Sequence, residues 1–306
     1  MTNPRILVSY ARRDGADFSR TLSERLAKEH GFTVWRDLSQ LEGGTDWWQQ
    51  ITDAIRRVEY VILVITPAAL ESRIVRDEWR FARTQGVCVI PVIGAPGLDF
   101  GNLSGWMQRR HFVDVQDPEQ WRRLVRTLEG PCRTPRVPMM AEPPPDDFID
   151  RSVEFEALKA LLVDEAPKNT IAITAALKGA GGYGKTTLAR ALCHDDAVLE
   201  TYYDGVLWVT LGEKPGDTAT TLEDLIVILS GEPSGLTSAE ARRSRLADLL
   251  HDRHMSALIH CEDGHPMGCI VAKPQRAIRS AHGICERSAT GHNQQRYRAT
   301  RRGNLS

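Results

Sequence analysis

The sequence predicts an α/β protein of two units in series, and three observations carry that expectation. Residues 5–128 alternate short apolar runs with amphipathic stretches, the signature of a parallel sheet with crossover helices. Residues 131–147, PCRTPRVPMMAEPPPDD, interrupt this with prolines and no periodicity, so they read as an extended, semi-rigid linker. A second βα series then runs to about residue 254 and carries a glycine-rich loop between a strand and a helix. At 306 residues the chain has the length for two domains, each burying its own core.

In the first unit, residues 1–130, five apolar runs predict five strands: Ile6–Tyr10, Phe32–Arg36, Tyr60–Thr66, Val87–Ile93 and His111–Val115. Between them Phe18, Leu22 and Leu26 recur at helical spacing, with Asp14 placed to cap that helix and Gly31 to end it. Trp47, Ile51, Ile55 and Val58 mark a second helix, Val75, Trp79 and Ala82 a third, and residues 118–128 a fourth.

The second unit, residues 148–254, opens with a helix near Val153–Val163 and a buried-type strand at Thr170–Leu177. The glycine loop and a helix from Lys185 follow, then a strand at Gly205–Leu211. Two more helices are expected from Thr220 and Thr237, each with a glutamate three residues on, Glu223 and Glu240, at capping-box spacing. From about Met255 neither period is sustained, and residues 255–306 read as an irregular, disordered tail. Such a loss of pattern is expected of a truncated product whose tail is read out of frame.

Charge and cysteine content exclude several classes. Thirty-nine basic against forty acidic side chains give a net charge of -1, so no global attraction to nucleic acid or anionic membrane is built in. No stretch approaches the length of a membrane span, and the N-terminal apolar run is too short for a signal peptide, so a soluble cytoplasmic protein is expected. The six cysteines show no CxxC pair or regular spacing, which argues for reduced thiols.

The most specific local signal is GAGGYGKTT, Gly179 to Thr187, which satisfies GxxxxGK[ST] between a predicted strand and a predicted helix. Gly179, Gly181, Gly182 and Gly184 let backbone N–H groups turn onto phosphate oxygens, Lys185 reaches the terminal phosphates, and Thr186, beside Thr187, can ligate magnesium. ADP or ATP with Mg is the cofactor such a loop takes. Hydrolysis needs in addition an acidic residue on a neighbouring strand. The place for it offers only ALI, Ala257 to Ile259, followed by Glu262 and Asp263, so Asp263 is a weak candidate for metal and ATP hydrolysis is not expected.

Beyond the motif, FIDRSVEFEALKALL (Phe148–Leu162) and YYDGVLWVTLGE (Tyr202–Glu213) resemble the start of the NB-ARC domain, the nucleotide switch of STAND-type signalling NTPases. Asp150 stands where that family usually has glycine. The family's acidic strand, sensor arginine, helical lid and winged-helix part are not recognisable, so the resemblance implies an incomplete P-loop α/β domain.

Over residues 4–130 three segments in order resemble the TIR domain: ILVSYARRD, WRDLSQLEGGTDWWQQITDAI and YVILVITPAALESRIVRDEW. The resemblance implies a five-stranded, flavodoxin-like parallel fold and a signalling or defence protein of the bacterial TIR/NB-ARC type. It also implies one of two activities. As an NAD glycohydrolase, the domain would use Glu78 as its catalytic carboxylate, with Arg12 and Arg13 on the dinucleotide phosphates and Trp35 against a ring of the substrate NAD. As a non-enzymatic adaptor, it would self-associate or join other TIR proteins through the loop holding Asp37, Leu41, Gly43 and Asp46. Neither activity involves nucleic acid or membrane. Read from the residues alone, Glu78 among Arg73, Arg76, Asp77 and Arg80 is a member of a solvated surface network, and Arg12 and Arg13 are exposed loop charges; it is the resemblance that turns them toward a site.

Overall fold

The computed structural model of the chain describes residues 4–36, 47–99, 101, 103–145, 152–164, 172–173, 185–211, 218–251, 253–261 and 268–272. The first unit is built on β1 (Arg5–Ser9), β2 (Thr33–Arg36), β3 (Tyr60–Ile65) and β4 (Cys88–Ile93), all parallel in the order β2-β1-β3-β4. The run YVILVI of β3 is buried at every position, as a central strand covered on both faces requires.

Strand alternation then sorts the core. Ile6, Val8, Ile62 and Val64 face α1 (Ala16–His30) and α5 (Pro118–Glu129), where they meet Leu22, Leu26, Trp121, Leu124 and Leu128. Leu7, Val61, Leu63 and Ile65 face the other way, onto α2 (Trp47–Arg56), α3 (Pro67–Glu71) and α4 (Arg73–Gln85). Gly31 ends α1 at φ 71, the left-handed conformation that favours glycine.

The fifth expected strand shrinks to one parallel bridge, Val92 to Val113. Ile93 N–H donates to Val113 O and Val113 N–H to Pro91 O, so residues 91 and 93 face this neighbour. The next bond toward His111 would be donated by the amide of residue 91, and proline has none. The segment was read for its apolar content, and the gap in the ladder lies on its partner.

The second unit has α6 (Ser152–Asp164), β5 (Ala172–Ile173), α7 (Lys185–Cys193), α8 (Asp196–Thr201), β6 (Gly205–Leu211), α9 (Thr218–Ser230), α10 (Ala239–Leu250), β7 (Met255–Cys261) and β8 (Gly268–Ala272). Its sheet runs β5-β8-β7-β6, with β6 and β7 parallel and β8 antiparallel to both its neighbours. Residues 255–261 and 268–272, expected to be irregular, therefore pair as strands. The six residues between β7 and β8 are too few for a parallel crossover, which fixes the antiparallel sense. The run SALIHC is short and mixes polar with apolar residues, so its pattern carried no strand signal.

Helix starts also shift: α9 begins at Thr218 rather than Thr220, and α10 is capped by Ser238, whose Oγ accepts from Ala241 N–H, rather than by Thr237. Glu223 makes no capping box. It takes the N–H and Oγ of Ser234 and pairs with Arg242 at 2.9 Å.

The proline-rich segment lies extended along both units. Val137 N–H donates to Arg83 O, Met140 N–H to Val206 O, and Val206 N–H to Pro138 O. Just before it Tyr60 Oη donates to the carbonyls of Thr127 and Gly130, which turns the chain leaving α5 back toward the start of β4. There Cys132 is joined to Cys88 in a disulfide, with the Cα atoms 5.7 Å apart. This corrects the expectation of reduced thiols for these two residues: partners 44 apart in sequence leave no spacing pattern to read. Among the described residues no helix is long and apolar enough to cross a membrane.

Peptide mapping without reductant should recover Cys88 and Cys132 in one linked pair, and reduction should lower the stability of the first unit by roughly 2–4 kcal/mol, as expected for a loop of this length. Two free thiols in the native protein would contradict the pairing.

Candidate functional site: a carboxylate cleft at the switch point of the first sheet

In the order β2-β1-β3-β4 the chain leaves β1 to one side and β3 to the other, so the C-terminal ends of these two strands flank a natural crevice. A cleft of about 530 Å³ lies there, within the size range of small-molecule sites. Its walls are Leu7 to Ser9 at the end of β1, Tyr10 to Arg13 after it, Ile51 of α2, Ala68, Glu71 and Ser72 after β3, and Ile74, Val75 and Glu78 from α4.

Asp14 ties the two loops together. Expected to cap α1, it instead accepts from Thr66 Oγ1 at 2.6 Å and from Ala68 N–H at 2.9 Å, at the start of α3. Residue 15, not residue 14, is the cap position of α1, and no side chain caps it. Thr66 Oγ1 caps α3 through Ala69 N–H, and Ser72 Oγ caps α4 through Val75 N–H.

Glu78 sits in the second turn of α4. Val75, Trp79 and Ala82 fill the core beneath, so the roll of the helix turns Glu78 and Ile74, one turn apart, to the cleft. Ser9 Oγ donates to Glu78 Oε2 at 2.5 Å. Burial pushes the Glu78 carboxyl up from its ordinary 4.5 to about 7, and the neighbouring charge of Asp77 adds to this, while the Ser9 bond and the Arg12 guanidinium pull the other way. Arg12 and Arg13 are exposed at the rim, and Arg13 pairs with Glu71 at 2.8 Å.

Glu78, Arg12 and Arg13 thus share one cleft. Trp35 is not among the residues lining it and packs instead beside Leu7, Ile51 and Trp48. Asp37, Leu41, Gly43 and Asp46 lie outside the described residues. Ser9 was missed by sequence reasoning, although its signal is visible: it is the one polar residue that ends a wholly apolar central run. Ile74, 47% exposed at the cleft, had no such signal.

In the second unit, Gly179, Gly181, Gly182 and Gly184 lie outside the described residues, as does Asp263. Lys185 is the first residue of α7, with Thr186 and Thr187 following in its first turn. A helix start carrying a lysine and two hydroxyls fits the phosphates of a nucleotide and its metal ion. Among the described residues no group of three or more His, Cys, Asp or Glu could hold a metal.

The TIR domain family matches residues 6–128 and the NB-ARC domain family residues 151–259. The chain is a TIR domain followed by an NB-ARC domain. It thereby has the make-up of a signalling or defence protein with a nucleotide-binding module. No curated protein matches the sequence. Among solved structures, the TIR domain of a Toll-related receptor from Hydra magnipapillata is 20% identical, with 41% of this chain and 98% of that one covered and a TM-score of 0.35. A TIR-STING receptor from C. gigas, in complex with 2',3'-cGAMP, is 21% identical over 43% of this chain and 42% of its own, with a TM-score of 0.36. The TIR domains of the activated Roq1 resistosome are 16% identical over 42% and 71%, with a TM-score of 0.27.

The raised Glu78 ionisation has a signed consequence. Folding favours the protonated carboxyl, so its contribution to stability is complete below about 4.5 and is lost as the pH climbs through about 7. Between pH 5 and 8 the stability of Glu78→Gln should gain on that of the unmodified protein by about 1–3 kcal/mol. Denaturant titrations at several pH values measure this, and a constant difference would contradict it. Ser9→Ala, which removes a donor to the charged form, should move the transition to higher pH.

Proposed function

We propose that the TIR domain cleaves NAD to nicotinamide and an ADP-ribose product, and that the NB-ARC domain, binding ADP or ATP with Mg, regulates it in a soluble, cytoplasmic, self-associating protein. The observation that carries this reading is a carboxylate, Glu78, held by Ser9 inside a cleft at the switch point, with Arg12 and Arg13 at its rim and the cleft's other carboxylate, Glu71, paired with Arg13.

The chemistry asks for little more. When the bond from ribose C1′ to the nicotinamide nitrogen breaks, its electron pair stays with the pyridine ring, which leaves as a neutral molecule. The positive charge passes to C1′ and the ring oxygen of the sugar. An ionised Glu78 stabilises that charge, which the uncleaved substrate does not carry at the same place. Water then adds at C1′ and gives up its proton. The bond from Ser9 fixes one carboxylate oxygen and leaves the other for the sugar. Arg12 and Arg13 offer forked donors to the pyrophosphate. In the NB-ARC domain Lys185 would meet the nucleotide phosphates and Thr186 would hold the metal ion, which would supply charge to neutralise them.

Nicotinamide release from NAD should rise with protein concentration and climb with pH through about 7, where Glu78 ionises. Glu78→Gln should lower it on the order of a hundredfold or more, the usual loss for one electrostatic group at a transition state. Release that persists in Glu78→Gln would sink the proposal. A folded protein that associates through its TIR domain but releases no nicotinamide would favour the adaptor reading. Lys185→Ala should weaken ADP binding, read by calorimetry, and leave the fold of the TIR domain unchanged.

A further inference from the structure

One charged face of α4 is largely covered. Arg76, Arg80 and Arg83 recur at i, i+4 and i+7, and all three reach the NB-ARC domain. Arg80 pairs with Asp196 at 2.5 Å and with Glu200 at 2.6 Å, and Arg76 pairs with Asp196 at 3.2 Å. Arg83, with a side chain 6% exposed, donates to Tyr203 O at 2.7 Å and pairs with Asp204 at 3.4 Å. Its guanidinium lies 4.7 Å from the Trp106 ring centroid, and Trp106 stacks on Trp79 at 4.9 Å. Tyr203 is buried among Leu63, Trp79, Trp106 and Met107 of the TIR domain.

The other side of this contact is equally well anchored. Helix α8, which carries Asp196 and Glu200, follows α7 after only His194 and Asp195. Asp195 caps α8 through the N–H groups of Ala197 and Val198 and pairs with Lys159 of α6. The contact itself is imperfectly made. Arg76 Nε, Glu200 Oε2 and Trp106 Nε1 are buried without a partner, and a cavity of about 350 Å³ lies between Arg76, Trp79, Gly105 and Glu200. Each such group costs free energy while the contact is closed and regains solvation when it opens. An interface this charged and this incompletely satisfied has the character of a contact between domains that separate.

We infer that α8 and the Tyr203–Asp204 turn form a docking surface for the arginine face of α4, and that this clamp holds the TIR domain against the NB-ARC domain in a resting state from which it is released. The activity arm of this inference rests on the NAD-cleaving reading proposed above. The clamp itself does not.

The experiment uses the full chain with Arg80→Glu, Asp196→Arg and the pair together, and hydrogen exchange of residues 73–85 and 196–204 as its first readout. Each single change should speed exchange in both segments by about tenfold, and the two together should return part of the protection, since the exchanged charges attract each other while Glu200 and Arg76 then face like charges. Gly105→Val is the second variant. A Cβ on Gly105 would stand 2.6 Å from Tyr203 Cε1, so the substitution wedges the contact without touching a charge or the cleft, and it should act as the single charge reversals do. Unchanged exchange in all of these variants, or effects of the two reversals that add instead of cancelling, would overturn the clamp. Nicotinamide release is the second readout. It should rise severalfold in the opened variants and fall back in the charge-exchanged pair. Opened variants with unaltered or reduced release would overturn the resting-state assignment. Absence of release from every protein, the unmodified chain included, would count against the NAD reading alone, and hydrogen exchange would still decide the clamp.

Discussion

The seating of Val75, Trp79 and Ala82 on Leu63, Ile65, Leu7 and Val61 fixes the roll of α4, and that roll decides where each charge of the helix goes. One side turns Ile74 and Glu78 to the cleft, and another turns Arg76, Arg80 and Arg83 to the NB-ARC domain. The apolar contacts are what make this selection rigid. A helix with a single buried stripe could rotate a little at low cost, but a packed core bearing the two indole rings stacked at 4.9 Å resists displacement of even a methylene. The position of a carboxylate in a crevice thus rests on hydrophobic packing some distance beneath it.

Much of the first domain was legible in the sequence because its signals are local and physical. A continuous apolar run marks the central β3, Gly31 and the periodic leucines bound α1, and the apolar triplet of α4 predicts its buried face. The failures have a common cause. Asp14 was assigned to the helix nearest in sequence, whereas its carboxylate is shared with a loop more than fifty residues away. Cys88 and Cys132 meet only because α5 returns the chain to the start of β4. Pro91 silences the fifth strand from the neighbouring one. Each of these is a long-range effect of a residue whose own neighbourhood looks ordinary.

The charges of α4 show the same limit from the other side. A helix segment reading RIVRDEWRFAR looks like a solvated face, and Arg73 and Asp77, 3.7 Å apart and exposed in part, do behave that way. Arg83 does not. Burial pulls its guanidinium down to about 10, still well above neutrality, so it keeps its charge and must be satisfied. The groups that satisfy it, Tyr203 O and Asp204, belong to the other domain, and composition could not have distinguished it from Arg73.

The two charged faces of α4 send neighbouring charges to different places. Arg76 and Arg80 lie two residues to either side of Glu78 in sequence, near enough that a free guanidinium would favour the ionised carboxylate. They are instead turned to Asp196 and Glu200, whose negative charges offset them. What remains to pull the Glu78 carboxyl down is the Ser9 hydroxyl and Arg12, and burial with the help of Asp77 outweighs them. The carboxyl therefore titrates near neutrality chiefly because it is buried. The acidic face of α8 takes up Arg76 and Arg80, so one helix serves the cleft with its carboxylate and the neighbouring domain with its cations.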